Sequence, residues 1–192
     1  MRLSEASFDE KVSVVSMLLS RLNRSFGECA VLGNMTDSLF DALKTFRKRL
    51  ENADVPPIGV LSALIQEKNN EYTKKKTAGL YSHDGEKSMV KCIAALENMS
   101  VKLAESGECD KDKAFEIVRQ EFAEINTGRE ELVERVSKEL ANAFEFMDKV
   151  FGDSPQMVLF TTELAAGYYS MHFIEENGCE EFYRYNKGLL QM

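Results

Sequence analysis

The stretch that decides the fold class is LVERVSKELANAFEFMDKVF, residues 132–151. Its apolar residues recur at alternating steps of three and four, which places them along one side of an α-helix. They are Leu132, Val136, Leu140, Phe144, Met147 and Phe151. On the other side, Glu134 and Glu145, together with Glu131 just before the stretch, each precede a basic residue by four positions, and each such pair stabilises a helix by about 0.2–0.5 kcal/mol. This stretch is therefore predicted to be an amphipathic helix.

The same apolar spacing extends outward from this stretch in both directions along the chain. It predicts five helices before residues 132–151, at about 7–26, 36–50, 57–76, 89–106 and 110–125. It predicts two more after them, at 156–176 and 180–190, and the first of these is apolar almost all round, as expected of a central helix. No segment shows the alternating pattern of a strand. The fold class is therefore predicted to be all-α, a bundle or array of about eight helices.

Local residues indicate where several of these helices begin and end. Ser7 followed by Glu10 fits a capping box, and Pro57 fits a first helical turn. Gly27 and Gly128 are expected to end helices, so that separate helices follow each of them. The three lysines at 74–76 suit the negative end of a helix.

The stretch TAGLYSHDG, residues 77–85, has two glycines and no helical period. We expect a loop or hinge there, between an N-terminal helical part at 1–76 and a C-terminal helical part at 86–192. The alternative is one continuous domain.

Composition limits the class of protein. The chain has 192 residues and a formal net charge of −8, which argues against a nonspecific nucleic-acid binder. The four cysteines are widely spaced, and no run of about 20 apolar residues would span a membrane. We therefore expect reduced thiols and a cytoplasmic protein without membrane contact.

Motifs for catalysis or cofactor binding are incomplete. The sequence GLYSHDGEKS, residues 79–88, is similar to a phosphate-binding loop, but the glycine spacing is one residue too long and no strand precedes it. His83 and Asp84 form a dipeptide that binds metal in some helical hydrolases, and His172 is the only other histidine. No cofactor or metal is predicted. A small helical metal-dependent hydrolase that uses these three residues remains an alternative.

Two clusters of side chains are candidates for binding a partner. A basic patch on the second predicted helix, which could bind an anion or nucleic acid, consists of Lys44, Arg47, Lys48 and Arg49. Aromatic residues near the C-terminus, which could dock a protein partner, are Tyr168, Tyr169, Phe173, Phe182, Tyr183 and Tyr185. The alternative for the basic patch is an ordinary solvated helix face. The alternative for the aromatic residues is packing within the protein.

The stretch MVLFTTELAAGYYSMHFIEENGCEEFYRYNKGLL, residues 157–190, resembles the C-terminal helical region of MoxR-like AAA-family ATPases and related bacterial proteins of gut Firmicutes. The preceding LANAFEFMDKVFGD, residues 140–153, extends the resemblance. The phosphate loop of the ATPase core is not in this sequence. The resemblance implies a helical accessory region that accompanies or contacts such an ATPase.

The sequence thus predicts a non-enzymatic protein-interaction or adaptor module. A protein partner is expected, with an AAA-type ATPase as one possibility, and a homo-oligomer is left open.

Overall fold

The computed structural model describes residues 7–107 and 109–151, and over these residues the protein is helical without a strand. Four helices follow one another along the chain: α1 (Phe8–Asn52), α2 (Pro57–Thr77), α3 (His83–Glu105) and α4 (Lys111–Phe151). The predicted all-α class is confirmed. The predicted count is wrong, because the six helices expected in this range form four. The helices predicted at 156–176 and 180–190 lie outside the described residues.

α1 joins the first two predicted helices because Gly27 does not end a helix. A single glycine inside a helix costs only about 1 kcal/mol relative to alanine, which packing on both sides of it outweighs. Thr36, expected near a helix start, is buried, and its hydroxyl donates to the carbonyl of Gly33 at 2.8 Å within the helix. The side chain therefore uses a backbone acceptor in the preceding turn and leaves the helix intact.

α4 likewise joins the fifth and sixth predicted helices through Gly128. A Cβ atom built at Gly128 would meet no atom within 4 Å, so no close contact requires a glycine there. The start of α4 agrees with the sequence, since the Asp110 carboxylate accepts from the backbone N–H of Lys113 at 2.8 Å.

Other helix ends are also as predicted. Ser7 and Glu10 form the capping box, in which the Ser7 backbone N–H donates to the Glu10 carboxylate at 2.7 Å. Pro57 occupies the first turn of α2. At the other end of α2, Gly79 has φ +65°, and the N–H of Leu80 donates to the carbonyl of Lys75. This is the Schellman motif, which satisfies carbonyls left without partners at a helix end.

The protein divides into two compact units whose boundaries lie inside α1 and α4. Unit 2, residues 31–129, contains the second half of α1, all of α2 and α3, and the first half of α4. One hydrophobic core holds these helices together. Its completely buried large side chains include Leu39, Phe46, Leu61, Leu96, Met99 and Val118.

Unit 1 comprises residues 1–30 and 130–192. Its described residues form the first half of α1 and the second half of α4. Their apolar stripes form a separate core. Its buried members are Val15, Leu19, Leu22, Phe26, Cys29, Val136, Leu140, Ala143 and Met147. The apolar residues that predicted a helix at 132–151 therefore include most of the α4 residues in this core, namely Val136, Leu140 and Met147.

The stretch 77–85, predicted as a loop or hinge, contains the end of α2, a connection at 78–82 and the first turn of α3. It lies within unit 2. Tyr81 in this connection packs against Tyr72 of α2, with ring centroids 5.8 Å apart.

No helix in the described part of the chain is long and apolar enough to cross a membrane.

Candidate functional site

A row of aromatic rings lies on the surface of unit 2, where α1 and α4 run side by side. Phe40 of α1 stacks on Phe122 of α4, with ring centroids 5.9 Å apart and an interplanar angle of 29°. Phe40 is 48% exposed, which is unusual for a phenylalanine on a helix that forms a core. Phe115, two turns before Phe122 on α4, is partly buried against the same core.

Cations from α1 lie over these rings. Lys44 Nζ is 4.2 Å from the centroid of Phe40, and Arg47 Cζ is 5.1 Å from that of Phe115. Both distances are within the range of cation–π attraction. We call Phe40, Lys44, Arg47, Phe115 and Phe122 the aromatic–cation face.

The carboxylates that accompany these cations hold them weakly. Lys44 Nζ is 3.5 Å from Asp41, and Arg47 Nε is 3.7 Å from Glu51. All four side chains are more than 60% exposed. Such exposed ion pairs contribute about 0–1 kcal/mol, so another carboxylate can replace either acid at little cost.

The four residues of the predicted basic patch do not all lie on one side of α1. Lys44, Arg47 and Lys48 share one side of α1 because they are three or four residues apart, and Lys48 is exposed beside the aromatic–cation face. Arg49 points elsewhere, because its guanidinium donates to both oxygens of Glu67 in α2 at 2.7 and 2.8 Å. That bidentate hydrogen bonding lowers the pKa of Glu67. Three of the four patch residues therefore belong to one surface, and the fourth connects two helices.

A polar cluster joins the end of α2 to the start of α3. The Tyr72 hydroxyl donates to the Glu86 carboxylate at 2.9 Å, and Lys76 Nζ lies 2.6 Å from the same oxygen. The hydrogen bonds from Lys76 and then Tyr72 lower the pKa of Glu86, while burial raises the pKa of Tyr81. These contacts hold the end of α2 against the start of α3.

The segment that is similar to a phosphate-binding loop forms a helix cap. It follows helix α2, and the Ser82 hydroxyl accepts from the backbone N–H of Gly85 at 3.1 Å. Lys87 lies 3.7 Å from Asp84 on the same turn of α3. The serine and the lysine thus have roles in stabilising the first turn of α3.

The metal-ligand candidates His83 and Asp84 are exposed in the first turn of α3. No group of three or more His, Cys, Asp or Glu side chains within residues 7–107 and 109–151 is arranged to hold a metal ion. His172, the third candidate, lies outside these residues.

Unit 1 carries a groove of about 370 Å³ between its two described helices. We call it the unit 1 groove. Its lining is mainly apolar, and the Arg21 guanidinium donates to Glu139 at 2.8 Å at one edge. The lining residues are Val14, Leu18, Arg21, Leu22, Glu139, Asn142, Ala143 and Phe146. A concave apolar surface beside a helix pair is the shape that accepts another amphipathic helix.

The predicted docking aromatics, which are Tyr168, Tyr169, Phe173, Phe182, Tyr183 and Tyr185, all lie outside the described residues. Sequence reasoning missed Phe40, because it stands one residue away from the apolar stripe of α1. A signal was present in its spacing to Lys44, four residues later, which is the spacing of neighbours on a helix surface.

No family model matches the chain, and neither a curated protein nor a solved structure matches it significantly. The resemblance of residues 157–190 to MoxR-like ATPases stays a prediction.

Proposed function

We propose that this protein is a non-enzymatic, cytoplasmic protein-interaction module that acts as an adaptor. The observation that carries the proposal is the aromatic–cation face of unit 2. Aromatic side chains bury large areas on binding, and they are enriched with arginine among the residues that dominate the energy of protein interfaces.

The chemistry of this face favours an acidic protein segment that contains an apolar side chain. The apolar side chain would contact the exposed part of Phe40. Carboxylates of the segment would displace Asp41 and Glu51 from Lys44 and Arg47, whose present ion pairs are weak. Lys48, whose side chain forms no ion pair with a described residue, would add attraction at the edge.

An AAA-type ATPase is the first partner to examine. The resemblance of residues 157–190 to the C-terminal region of such ATPases supports this choice. A helical accessory protein that binds an acidic segment of the motor would account for both the resemblance and the face.

Fluorescence anisotropy on the full chain tests the proposal. The probe is a fluorescein-labelled synthetic peptide in which glutamates flank a leucine and a phenylalanine. We expect saturable binding that weakens as salt is added, because exposed charges are screened. Phe40→Ala is expected to weaken binding about tenfold, which corresponds to ~1.4 kcal/mol.

The matched control is Phe8→Ala, which removes another half-exposed phenylalanine of α1, in unit 1. The Lys44→Glu variant is compared with Lys138→Glu, an exposed lysine of unit 1. Equal binding by wild type and Phe40→Ala would refute the proposal. Tight binding of a single-stranded oligonucleotide in place of the peptide would instead support a nucleic-acid binder.

A further inference from the structure

The aromatic–cation face offers a partner its side chains, because the backbone beneath them is already hydrogen-bonded. Residues 40–48 lie inside α1 and residues 115–122 lie inside α4, so their backbone N–H and C=O groups bond within each helix. An extended segment laid on this face would lose water from its own backbone groups without gaining hydrogen bonds in exchange. An α-helical segment forms those bonds internally, so the face favours a helical partner.

The length of the face fits two turns of such a helix. Phe40 of α1 stacks on Phe122 of α4. Arg47 of α1 lies over Phe115 of α4. On each helix these two positions are seven residues apart, and they follow in opposite order, so α1 and α4 run antiparallel here. Seven residues of helix measure about 10 Å, and a partner of two to three turns therefore covers both contacts.

The two sides of the face differ in how firmly their charges are held. On the α4 side, the guanidinium of Arg119 donates to both oxygens of Glu116 at 2.7 and 2.8 Å. On the α1 side, Lys44 and Arg47 are 3.5 and 3.7 Å from their acids, and Lys48 is exposed. Carboxylates of a partner therefore gain more over α1, where they replace long contacts, than over α4, where they would break a bidentate pair.

We propose that the segment bound by the aromatic–cation face is an amphipathic α-helix of two to three turns. Its apolar side covers Phe40, and its carboxylates stand three or four residues apart along the edge that lies over α1. That spacing matches Lys44, Arg47 and Lys48, which are themselves three or four residues apart on a helix. The inference rests on the proposed function, since it names the conformation and charge pattern of the segment that the adaptor binds.

Three fluorescein-labelled peptides of 15 residues test the conformation by anisotropy on the full chain. The register peptide has leucine and phenylalanine at positions 4 and 11 and glutamates at positions 8 and 12, in a background of alanine and glutamine. The shifted peptide has its glutamates at positions 6 and 10. A shift of two positions moves a side chain about 200° round a helix but leaves it on the same side of an extended chain. The third peptide is the register peptide with proline at position 9, which breaks a helix.

We expect the register peptide to bind about tenfold more tightly than either of the other two. Its far-ultraviolet circular dichroism should gain helical signal when it is mixed with the protein, beyond the sum of the separate spectra.

Charge reversal on the protein tests where the carboxylates lie. Lys44→Glu is expected to reduce the preference for the register peptide over the shifted peptide from about tenfold to below about threefold. The matched control Lys138→Glu reverses an exposed lysine of unit 1 and should keep the full preference.

The outcomes separate this inference from the proposed function. Equal binding of the register peptide and either of the other two, still weakened by Phe40→Ala, would overturn the helical partner and leave the proposed function standing. A preference that Lys44→Glu leaves unchanged would overturn the placement of the carboxylates over α1. Absence of saturable binding by all three peptides would overturn the proposed function together with the inference.

Discussion

Phe46 and Phe40 provide a matched test of the core of unit 2, because they are the same residue type on the same helix. Phe46 is completely buried and Phe40 is 48% exposed. Phe46→Ala removes a buried ring and leaves a cavity, which typically costs ~3–5 kcal/mol. That is a large share of the roughly 5–15 kcal/mol that stabilises a domain.

Phe40→Ala is expected to cost much less. About half of the side chain already contacts water, so the burial lost is worth about half of the ~1.5–3 kcal/mol of a fully buried side chain. Loss of the stack on Phe122 adds about 0.5–1.5 kcal/mol. The expected total is roughly 1–3 kcal/mol.

Urea unfolding followed by far-ultraviolet circular dichroism measures both values against wild type. At about 2–4 °C per kcal/mol for a chain of this size, Phe46→Ala should also lower Tm by roughly 6–20 °C. Equal losses of stability in the two variants would refute the assignment of Phe46 to the core.

Three further predictions concern the backbone, a thiol and an ion pair. Gly27→Ala, inside α1 with open space at the Cβ position, should stabilise the protein by about 0.5–1 kcal/mol in thermal unfolding, whereas Gly79→Ala, at φ +65°, should destabilise it by about 1–2 kcal/mol. Burial raises the pKa of the Cys92 thiol to about 11, so at pH 8 a thiol-specific disulfide reagent should modify Cys92 far more slowly in the folded protein than in denaturant, and equal rates would contradict its burial. A double-mutant cycle on Arg49 and Glu67 should give a coupling of about 0.2–1 kcal/mol at neutral pH, since both side chains are exposed. Because the pKa of Glu67 is lowered in the folded state, this coupling should be complete above the usual carboxyl pKa of about 4.3 and lost as the pH falls through the folded value, and a coupling that persists at low pH would exclude an ionic origin.

Helix positions could be predicted from the sequence because burial on one side imposes a period. Leu96 and Met99 stood on the predicted stripe of the fourth helix, and both are completely buried. The end of α2 was also predictable, since the glycine at residue 79 and the lysines before it act locally.

The number of helices was not predictable, because a glycine inside a helix costs little and packing decides whether it ends the helix. Gly27 and Gly107 show the contrast: the first continues a helix, and the second adopts φ +72° just after one. The period of the flanking apolar residues would have to be followed across each glycine.

The candidate site was less predictable than the fold. The two basic residues of the aromatic–cation face, Lys44 and Arg47, were identified from α1 alone, but the rings beneath them come from two helices. Phe122 lies 82 positions after Phe40, so their stack depends on how α1 and α4 pack together. A single-sequence pattern does not contain that information.

The placement of unit 2 between the two pieces of unit 1 has a consequence for synthesis on the ribosome. Unit 2 is one continuous stretch, 31–129, and its helices are all available once that stretch has emerged. Arg21 pairs with Glu139, 118 residues later, so the N-terminal half of α1 cannot pack until the end of α4 has been synthesised. At a translation rate of about 5–20 residues per second, the delay for residues 130–151 is on the order of one to a few seconds. During it Val15 and Leu22, which are buried in the folded protein, are uncovered, and this part of the nascent chain presents apolar side chains that a chaperone can bind.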